Sequence, residues 1–213
     1  MATSPCRAAA LPVAAAVLVG LAGCATGERP TLAEAPAATG DAAADAVLER
    51  LDRASAATFS ADYRVAPTRG NASASATVVQ RGTSPRAVTV GDVRYLTTLD
   101  GTATCLLDTG TCDDGIDAAL ISDLQITPEF DARSPAARLR TDARRGIGPS
   151  IASTVTIAGQ AATCVTVPLA PTGTTVCALD AGPLARLVAA DVTIELTTFS
   201  SEVDESSFQR PDG

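Results

Sequence analysis

The chain has 213 residues, a formal net charge of −8 and a hydrophobic fraction of 46%. It contains no histidine, and all 16 of its basic residues are arginine. The missing histidine excludes Ser-His-Asp and Cys-His catalysis and histidine-ligated metal sites, and the acidic balance argues against nucleic-acid binding.

The amino terminus resembles a bacterial lipoprotein signal. A single basic residue, Arg7, precedes an apolar run over residues 8–22, and the run closes on Cys24 with the lipobox Leu-Ala-Gly-Cys. The run is shorter than the roughly 20 apolar residues that span a bilayer, and small residues before the cysteine suit a signal peptidase. The resemblance implies cleavage before Cys24 and attachment of diacylglycerol to its sulfur, giving an anchor of several acyl chains. An uncleaved anchor and an ordinary signal peptide are the alternatives.

Composition divides the chain into three parts. Residues 1–23 are predicted to be the lipoprotein signal peptide. Residues 24–40 are predicted to be the lipidated cysteine and a flexible tether with a reach of about 20 Å. Residues 41–213 are long enough to bury one sizeable core, so we expect a single domain. The predicted location is the extracytoplasmic face of the cell membrane, with a lipid-anchored monomer.

The first half of the domain begins with a helix and continues as strands. Asp41 is positioned to cap a helix in which Val47, Leu48 and Leu51 recur at helical spacing. Alternation of apolar and polar residues then indicates half-buried strands. The predicted strands cover residues 59–65, 73–81, 86–90 and 93–99, followed by two short strands on either side of 108–110.

The second half begins with helical signals and returns to strands. Residues 117–124 carry Leu120, Ile121 and Leu124 on one helical face, and Ser134-Pro135 is predicted to cap a helix that runs to Arg145. Further strands are predicted over residues 151–158, 161–167, 174–179, 184–188 and 191–199. Short turns separate consecutive strands, so the sequence predicts an α+β domain built on an antiparallel meander.

Four cysteines remain after Cys6 leaves with the signal peptide and Cys24 takes the lipid. These are Cys105, Cys112, Cys164 and Cys177. Four cysteines allow three pairings, and the local context favours Cys105–Cys112 and Cys164–Cys177 as disulfides that fasten two hairpins at their tips. A four-cysteine zinc site is the alternative, and the wide spacing argues against it.

Two acidic motifs could carry chemistry, and both favour an ordinary loop. Residues 106–111 match the apolar-apolar-Asp-Thr-Gly-Thr string of aspartic proteases, but the chain has one copy, so only a homodimer could pair two Asp108 carboxylates. The cluster of Asp108, Asp113, Asp114 and Asp117 fails the spacing of a calcium loop. We therefore expect no catalytic residue, no metal and no cofactor.

Three segments of the domain resemble the lipoprotein-carrier (LolA-like) superfamily. Residues 59–63, Phe-Ser-Ala-Asp-Tyr, are similar to its opening strand, residues 177–184 to a late strand-turn-strand, and residues 203–211 to its closing Asp-x-x-x-Phe-x-x-Pro pattern. The resemblance implies a strongly curved antiparallel sheet, a half-barrel, wrapped around two or three helices with an apolar cavity. It also implies lipid or lipoprotein cargo.

Two groups of residues are candidates for ligand contact under this resemblance. Apolar strand residues either pack the core or line the cavity, and they are Val88, Val90, Tyr95, Ile157, Val192, Ile194 and Leu196. Arginines of the 135–145 helix either pair with nearby acids or contact anionic headgroups, and the candidates are Arg138, Arg140, Arg144 and Arg145.

The sequence thus predicts a membrane-anchored extracytoplasmic lipoprotein that is not an enzyme. Its expected role is to bind or carry an apolar ligand, which could be a lipid, a glycolipid or the acyl chains of another lipoprotein. The alternative is an envelope interaction or sensor lipoprotein with a filled core and no ligand.

Overall fold

The computed structural model describes residues 38–69 and 73–211. The predicted signal peptide, the lipidated Cys24 and most of the tether lie outside these ranges. Residues from Ala38 onward form one compact unit. None of the helices in the described ranges is long and apolar enough to cross a bilayer.

The elements follow the predicted order with small shifts at their ends. There are two α-helices, α1 (Ala42–Ala54) and α2 (Arg133–Arg145). Two 3₁₀ helices also occur, at Ala118–Leu124 before α2 and at Glu205–Phe208 after the last strand. The strands are β1 Phe59–Pro67, β2 Ala74–Gln80, β3 Arg86–Val90, β4 Val93–Thr98, β5 Gly101–Leu106, β6 Thr111–Asp114, β7 Ile151–Ile157, β8 Gln160–Val167, β9 Thr174–Leu179, β10 Leu184–Val188 and β11 Val192–Ser200.

All eleven strands belong to a single antiparallel sheet whose centre is the pairing of β1 with β11. One meander runs outward from β1 to β6 and the other from β11 to β7, so the strand order is β6-β5-β4-β3-β2-β1-β11-β10-β9-β8-β7. The segment between β6 and β7, here called the connector (residues 115–150), must therefore cross from one sheet edge to the other. It carries a 3₁₀ helix and α2 across one face, which we call the inner face. This open, curved sheet confirms the predicted α+β half-barrel.

Helix α1 begins where the sequence predicts. The Asp41 carboxylate accepts hydrogen bonds from the backbone N–H groups of Ala43 and Ala44, at 3.0 and 3.1 Å, which satisfies donors that a helix start leaves unpaired. Val47 and Leu51 on its apolar stripe are fully buried. The helix packs against α2, β8 and β9, so these elements fill one half of the sheet.

The predicted cap of α2 is wrong. The helix begins at Arg133, and no side chain caps it. The Ser134 hydroxyl instead bonds the Thr127 hydroxyl at 2.6 Å. The preceding turn supplies the acceptors, because the carbonyl of Glu129 accepts the N–H of Ser134 and the carbonyl of Ala132 accepts that of Ala136. At the start of α2, backbone carbonyls therefore accept the hydrogen bonds that the Ser-Pro pattern predicts for the Ser134 hydroxyl.

The two disulfides join the pairs that the local context favours. Cys105 bonds Cys112 and Cys164 bonds Cys177, and in each case the two residues lie directly opposite on neighbouring strands. The first pair lies one residue from the β5–β6 turn. The second lies three residue pairs inside the β8–β9 hairpin, with both cysteines at most 2% exposed. The expectation of a bridge at the hairpin tip is therefore wrong for Cys164–Cys177, which belongs to the main core.

A smaller apolar cluster lies on the outer face of the sheet. Ala87, Leu96 and Ala103 are buried there beside the Cys105–Cys112 bridge, and Phe208 of the carboxy-terminal 3₁₀ helix packs against them. The first meander is therefore covered from outside by the end of the chain.

Candidate functional site

A cleft of about 620 Å³ opens on the inner face of the first meander. Its floor is β3 and β4, which contribute Arg86, Val88, Tyr95 and Thr97, and its opposite wall is the connector. The cleft lies here because α1 packs mainly on β8 and β9, and only its carboxy-terminal end, at Ser55, reaches this half of the sheet. Its volume falls within the range of small-molecule sites in proteins.

One wall of the cleft is apolar. Val88 and Tyr95 come from neighbouring strands and lie directly opposite each other, while Ile116 and Ala118 face them from the connector. Ile116 is 43% exposed, so its side chain adds apolar surface to the open side of the cleft. The Tyr95 hydroxyl donates to the backbone carbonyl of Asp117 at 3.1 Å. Burial, together with the Asp117 carboxylate, raises the pKa of Tyr95 to about 12, so this wall carries no charge at neutral pH.

The other end of the cleft is an ion pair at the centre of a hydrogen-bond network. The Arg86 guanidinium binds both carboxylate oxygens of Asp131, at 2.5 and 3.1 Å, and also donates to the Gln80 side-chain oxygen at 2.7 Å and the Pro128 carbonyl at 3.1 Å. The Asp131 side chain is 1% exposed. Burial disfavours the charged guanidinium, but the Asp131 charge outweighs it and raises the pKa of Arg86.

This network also holds α1 in place. The Gln80 side-chain amide donates to the carbonyls of Ala54 and Ala57, at 2.7 and 3.2 Å, which lie at and just beyond the last turn of α1. The backbone carbonyl of Asp131 accepts the N–H of Leu184 at 2.7 Å. The polar end of the cleft therefore links β2, β3, the connector, β10 and the end of α1.

The charged groups that line the cleft cancel one another. Arg86 is paired with Asp131, and at the rim Arg133 donates to Glu129 at 2.8 Å. Each guanidinium in the lining thus already has a carboxylate partner. A charged ligand that displaced Arg86 or Asp131 would leave a buried charge unpaired, whereas the exposed Arg133–Glu129 pair contributes little.

Two aromatic residues lie behind the ion pair. Tyr63 and Phe130 contact each other edge to face, with ring centroids 5.1 Å apart, and both are buried. The Tyr63 hydroxyl has no hydrogen-bond partner among the described residues. Burial and the nearby Asp131 charge raise the pKa of Tyr63 well above its usual range, so the phenol stays neutral.

The predicted cavity residues do not gather in one place. Val88 and Tyr95 line the cleft just described, whereas Val192 and Ile194 line another cleft of about 240 Å³ beneath α2. The remaining three, Val90, Ile157 and Leu196, are buried in the main core and line neither cleft.

The polar residues of the site, Arg86 and Asp131, are not among the predicted candidates. Arg86 shares one face of its strand with Val88 and Val90, because side chains alternate along a strand. A charged residue at the head of an inward-facing apolar row is a signal for a buried partner, although nothing nearby in the sequence identifies that partner as Asp131.

The four predicted headgroup arginines fall into two classes. Arg138 binds both oxygens of Asp191, at 2.9 and 2.6 Å, and Arg140 binds both oxygens of Asp52, at 2.7 and 2.6 Å. Arg144 and Arg145 are exposed and form no ion pair with any described residue.

The Arg138–Asp191 pair gives stability a dependence on pH. Burial alone would raise the pKa of Asp191, but its hydrogen bonds and ion pair with Arg138 hold the pKa below the ordinary value of 3.8. The pair therefore stabilises the fold above that value, and the contribution disappears as the pH falls through the lower folded pKa. Since Asp191 is 38% exposed, Asp191→Asn should cost less than about 1 kcal/mol at pH 7.

Urea unfolding at two pH values tests this expectation. The loss in Asp191→Asn should be measurable at pH 7 and should shrink near pH 2, as the Asp191 carboxylate becomes protonated and loses its advantage over the asparagine. Asp123→Asn is the matched control, because Asp123 is exposed and forms no ion pair with the described residues. A loss that persists unchanged at the lower pH would contradict the assignment.

The acidic loop behaves as an exposed turn. Asp108 lies at the tip of the β5–β6 hairpin and is exposed, and beside it the Thr109 and Thr111 hydroxyls bond each other at 2.8 Å. The described residues contain no cluster of three or more cysteine or acidic side chains that could hold a metal ion.

Comparison with solved structures shows the fold. No protein-family model and no curated protein matches the sequence. The structure is similar to MucB, with a TM-score of 0.53 and 16% identity over 80% of this chain and 63% of MucB. It is also similar to the MucA/MucB complex of Pseudomonas aeruginosa, with a TM-score of 0.51 and 14% identity over 78% and 60% of the two chains.

A further solved structure that matches is LprF from Mycobacterium bovis, at 16% identity over 80% of this chain and 97% of that one, with a TM-score of 0.43. The chain spans about 60% of the length of MucB. At these identities the likeness concerns the fold alone, which is the predicted curved antiparallel sheet with helices.

Proposed function

We propose that this protein is an extracytoplasmic lipoprotein that binds an apolar ligand in the cleft over β3 and β4. The observation that carries the proposal is an open cleft of about 620 Å³ with an apolar wall, in a sheet whose other half is filled by helices. In this proposal residues 1–23 are the signal peptide, residues 24–40 the tether from a lipidated Cys24, and residues 41–213 the binding domain. Two disulfides are in keeping with an oxidising compartment.

The ligand should have a neutral or zwitterionic polar end. Arg86 and Arg133 are already neutralised by Asp131 and Glu129, so the lining offers hydrogen-bonding groups without a net charge. A glycolipid, an acylglycerol or the acylated end of another lipoprotein satisfies this condition. A free fatty-acid carboxylate would bind through its chain, with its charged end directed to solvent.

Burial of the chain would supply the affinity, and no bond is made or broken. Covering on the order of 300 Å² of apolar ligand surface at ~25 cal/mol per Å² gives about 7 kcal/mol before the cost of immobilising the ligand. This is enough for reversible binding, as a carrier requires, and not for permanent retention.

Adjacent alanines in the connector provide a matched test of the cleft. Ala118 lines the cleft, whereas Ala119 is exposed and does not. Ala118→Trp should fill the space and weaken binding of a fluorescent fatty-acid probe at least about tenfold, since a bulky aromatic ring removes the volume that the chain occupies. Ala119→Trp should bind the probe like the unmodified protein.

The same pair of variants decides against the proposal if they behave alike. Equal binding by both variants would mean that the probe binds outside the cleft. If the unmodified protein did not bind the probe at all, the cleft would not be a binding site for an acyl chain. Solvent extraction and mass spectrometry of the purified protein should recover a lipid, and less of it from Ala118→Trp than from Ala119→Trp.

A second candidate function is the binding of a protein partner, by an envelope interaction or sensor lipoprotein. It is favoured by one observation, that a MucB structure of similar fold contains MucA. The open cleft supports the first candidate, because an interaction protein with a filled core has no need of it. Recovery of a protein partner with no lipid, equally from both tryptophan variants, would support the second.

A further inference from the structure

One region of this acidic protein has no acidic residue at all. Between Asp142 and Asp180 the sequence contains no Asp and no Glu, and its only charged residues are Arg144 and Arg145. The chain as a whole has 24 acidic residues and a net charge of −8. The segment from the end of α2 through β9 therefore carries a positive formal charge, whereas the chain as a whole is negative.

The two arginines lie beside exposed isoleucines. Arg144 and Arg145 form the last turn of α2 and, unlike Arg138, bind no carboxylate of the described residues. Just after the helix, Ile147 is 71% exposed and Ile151 is 65% exposed. These two isoleucines, four residues apart, place exposed apolar surface close in the chain to the two arginines.

Backbone contacts fix the isoleucines to the sheet. The N–H of Ile147 donates to the carbonyl of Pro168 at 2.9 Å, and Ile151 lies opposite Thr166 on the neighbouring strand. Thr166 lies opposite Thr175, which lies opposite Val188. Directly opposite residues point to the same face of a sheet, so this row of four uncharged side chains extends across β7, β8, β9 and β10.

We propose that this corner docks the domain on an anionic lipid bilayer. The corner is defined by Arg144, Arg145, Ile147, Ile151 and Val188. Guanidinium groups bind lipid phosphates, and exposed aliphatic side chains enter the boundary between headgroups and acyl chains. Charge complementarity favours this partner, because Arg144 and Arg145 have no carboxylate partner among the described residues, whereas Glu195, on the same sheet face as Val188, is neutralised by Arg186. The proposal rests on the proposed membrane location and not on any ligand in the cleft.

Vesicle sedimentation tests the corner in isolation from the lipid anchor. The fragment Ala38–Gly213 forms one compact unit and contains the whole described core, so it can be used without the signal segment. It should bind vesicles of equal phosphatidylglycerol and phosphatidylcholine, and binding should weaken as salt is added. Vesicles of phosphatidylcholine alone should bind weakly.

Two double variants separate the charged and apolar contributions. R144Q/R145Q should weaken binding to the anionic vesicles about 30-fold, since each basic residue near such a surface contributes roughly a fivefold gain. I147S/I151S should weaken binding at least about tenfold by removing the inserted side chains. The salt dependence should be lost in the first variant and kept in the second.

Matched controls remove the same charges and the same type of side chain elsewhere. R53Q/R210Q removes two exposed arginines, and Leu99→Ser removes a leucine that is 94% exposed at the β4–β5 turn. Both should bind vesicles like the unmodified fragment. Equal losses in R53Q/R210Q and R144Q/R145Q would reduce the effect to net charge and overturn the proposal.

The bilayer proposal would also be overturned if the same region proved to bind a protein partner. Strand β7 is a sheet edge without a charged residue, and such an edge can pair with another strand. A fragment that ignores anionic vesicles but dimerises, with the dimer abolished by Thr154→Pro, would make this a protein interface. Probe binding in the cleft should be unchanged in I147S/I151S, so failure here is distinguishable from failure of the proposed function.

Discussion

Replacing Asp131 with asparagine is expected to lower the free energy of unfolding by about 3–5 kcal/mol, because it leaves the buried Arg86 charge without a partner. The Asp131 and Arg86 side chains are 1% and 19% exposed, so water from the cleft can replace only part of the lost carboxylate. Arg86 keeps its bonds to Gln80 and to the Pro128 carbonyl, but neither of these acceptors carries a charge. Urea unfolding followed by circular dichroism measures the loss.

The companion variants separate an unpaired charge from damaged packing. The double variant Arg86→Met/Asp131→Leu removes both charges and should recover most of the stability, since apolar replacements of a buried pair are often nearly neutral. Asp180→Asn breaks an exposed pair, in which Asp180 is 68% exposed, and should cost less than about 1 kcal/mol. If Asp131→Asn were as mild as Asp180→Asn, the pair would not be the anchor of the cleft.

The sheet could be predicted from the sequence because its strands are locally specified. Alternation places Phe59, Tyr63 and Val65 on one face of β1, and all three are buried. Turn residues between the strands then restrict each strand to pairing with its neighbour, which accounts for two meanders. The cysteine pairs follow from the same rule, since each joins strands that are consecutive in the chain.

The site could not be predicted because its partners are distant in sequence. Arg86 and Asp131 are 45 residues apart, Arg138 and Asp191 are 53 apart, and Arg140 and Asp52 are 88 apart. Which carboxylate meets which guanidinium depends on the path of the connector across the sheet, and no local pattern encodes that path. The same dependence explains why Val88 lines a cleft while Val90, two residues along the same strand face, is covered by the core.

Replacing Gly182 with alanine is expected to lower the free energy of unfolding by about 2–4 kcal/mol, combining backbone strain with overpacking. Gly182 lies in the β9–β10 turn with φ of +118°, a conformation that residues with a side chain rarely adopt. A Cβ atom there would lie 2.8 Å from both the Cα and the backbone N of Ala54. Backbone atoms at the end of α1 cannot swing aside as a flexible side chain could.

Gly159→Ala is the control that separates the two causes, because Gly159 also has a positive φ, +75°, but has open space around it. It should cost about 1 kcal/mol, the strain contribution alone. The excess in Gly182→Ala should be accompanied by weaker probe binding in the cleft, because displacing Ala54 pulls its carbonyl from the Gln80 amide, which in turn supports Arg86. Equal losses of stability in the two variants would mean that the contact between the turn and α1 does not constrain the fold. The expected effect of Gly182 on the cleft, through Ala54, Gln80 and Arg86, would then be contradicted as well.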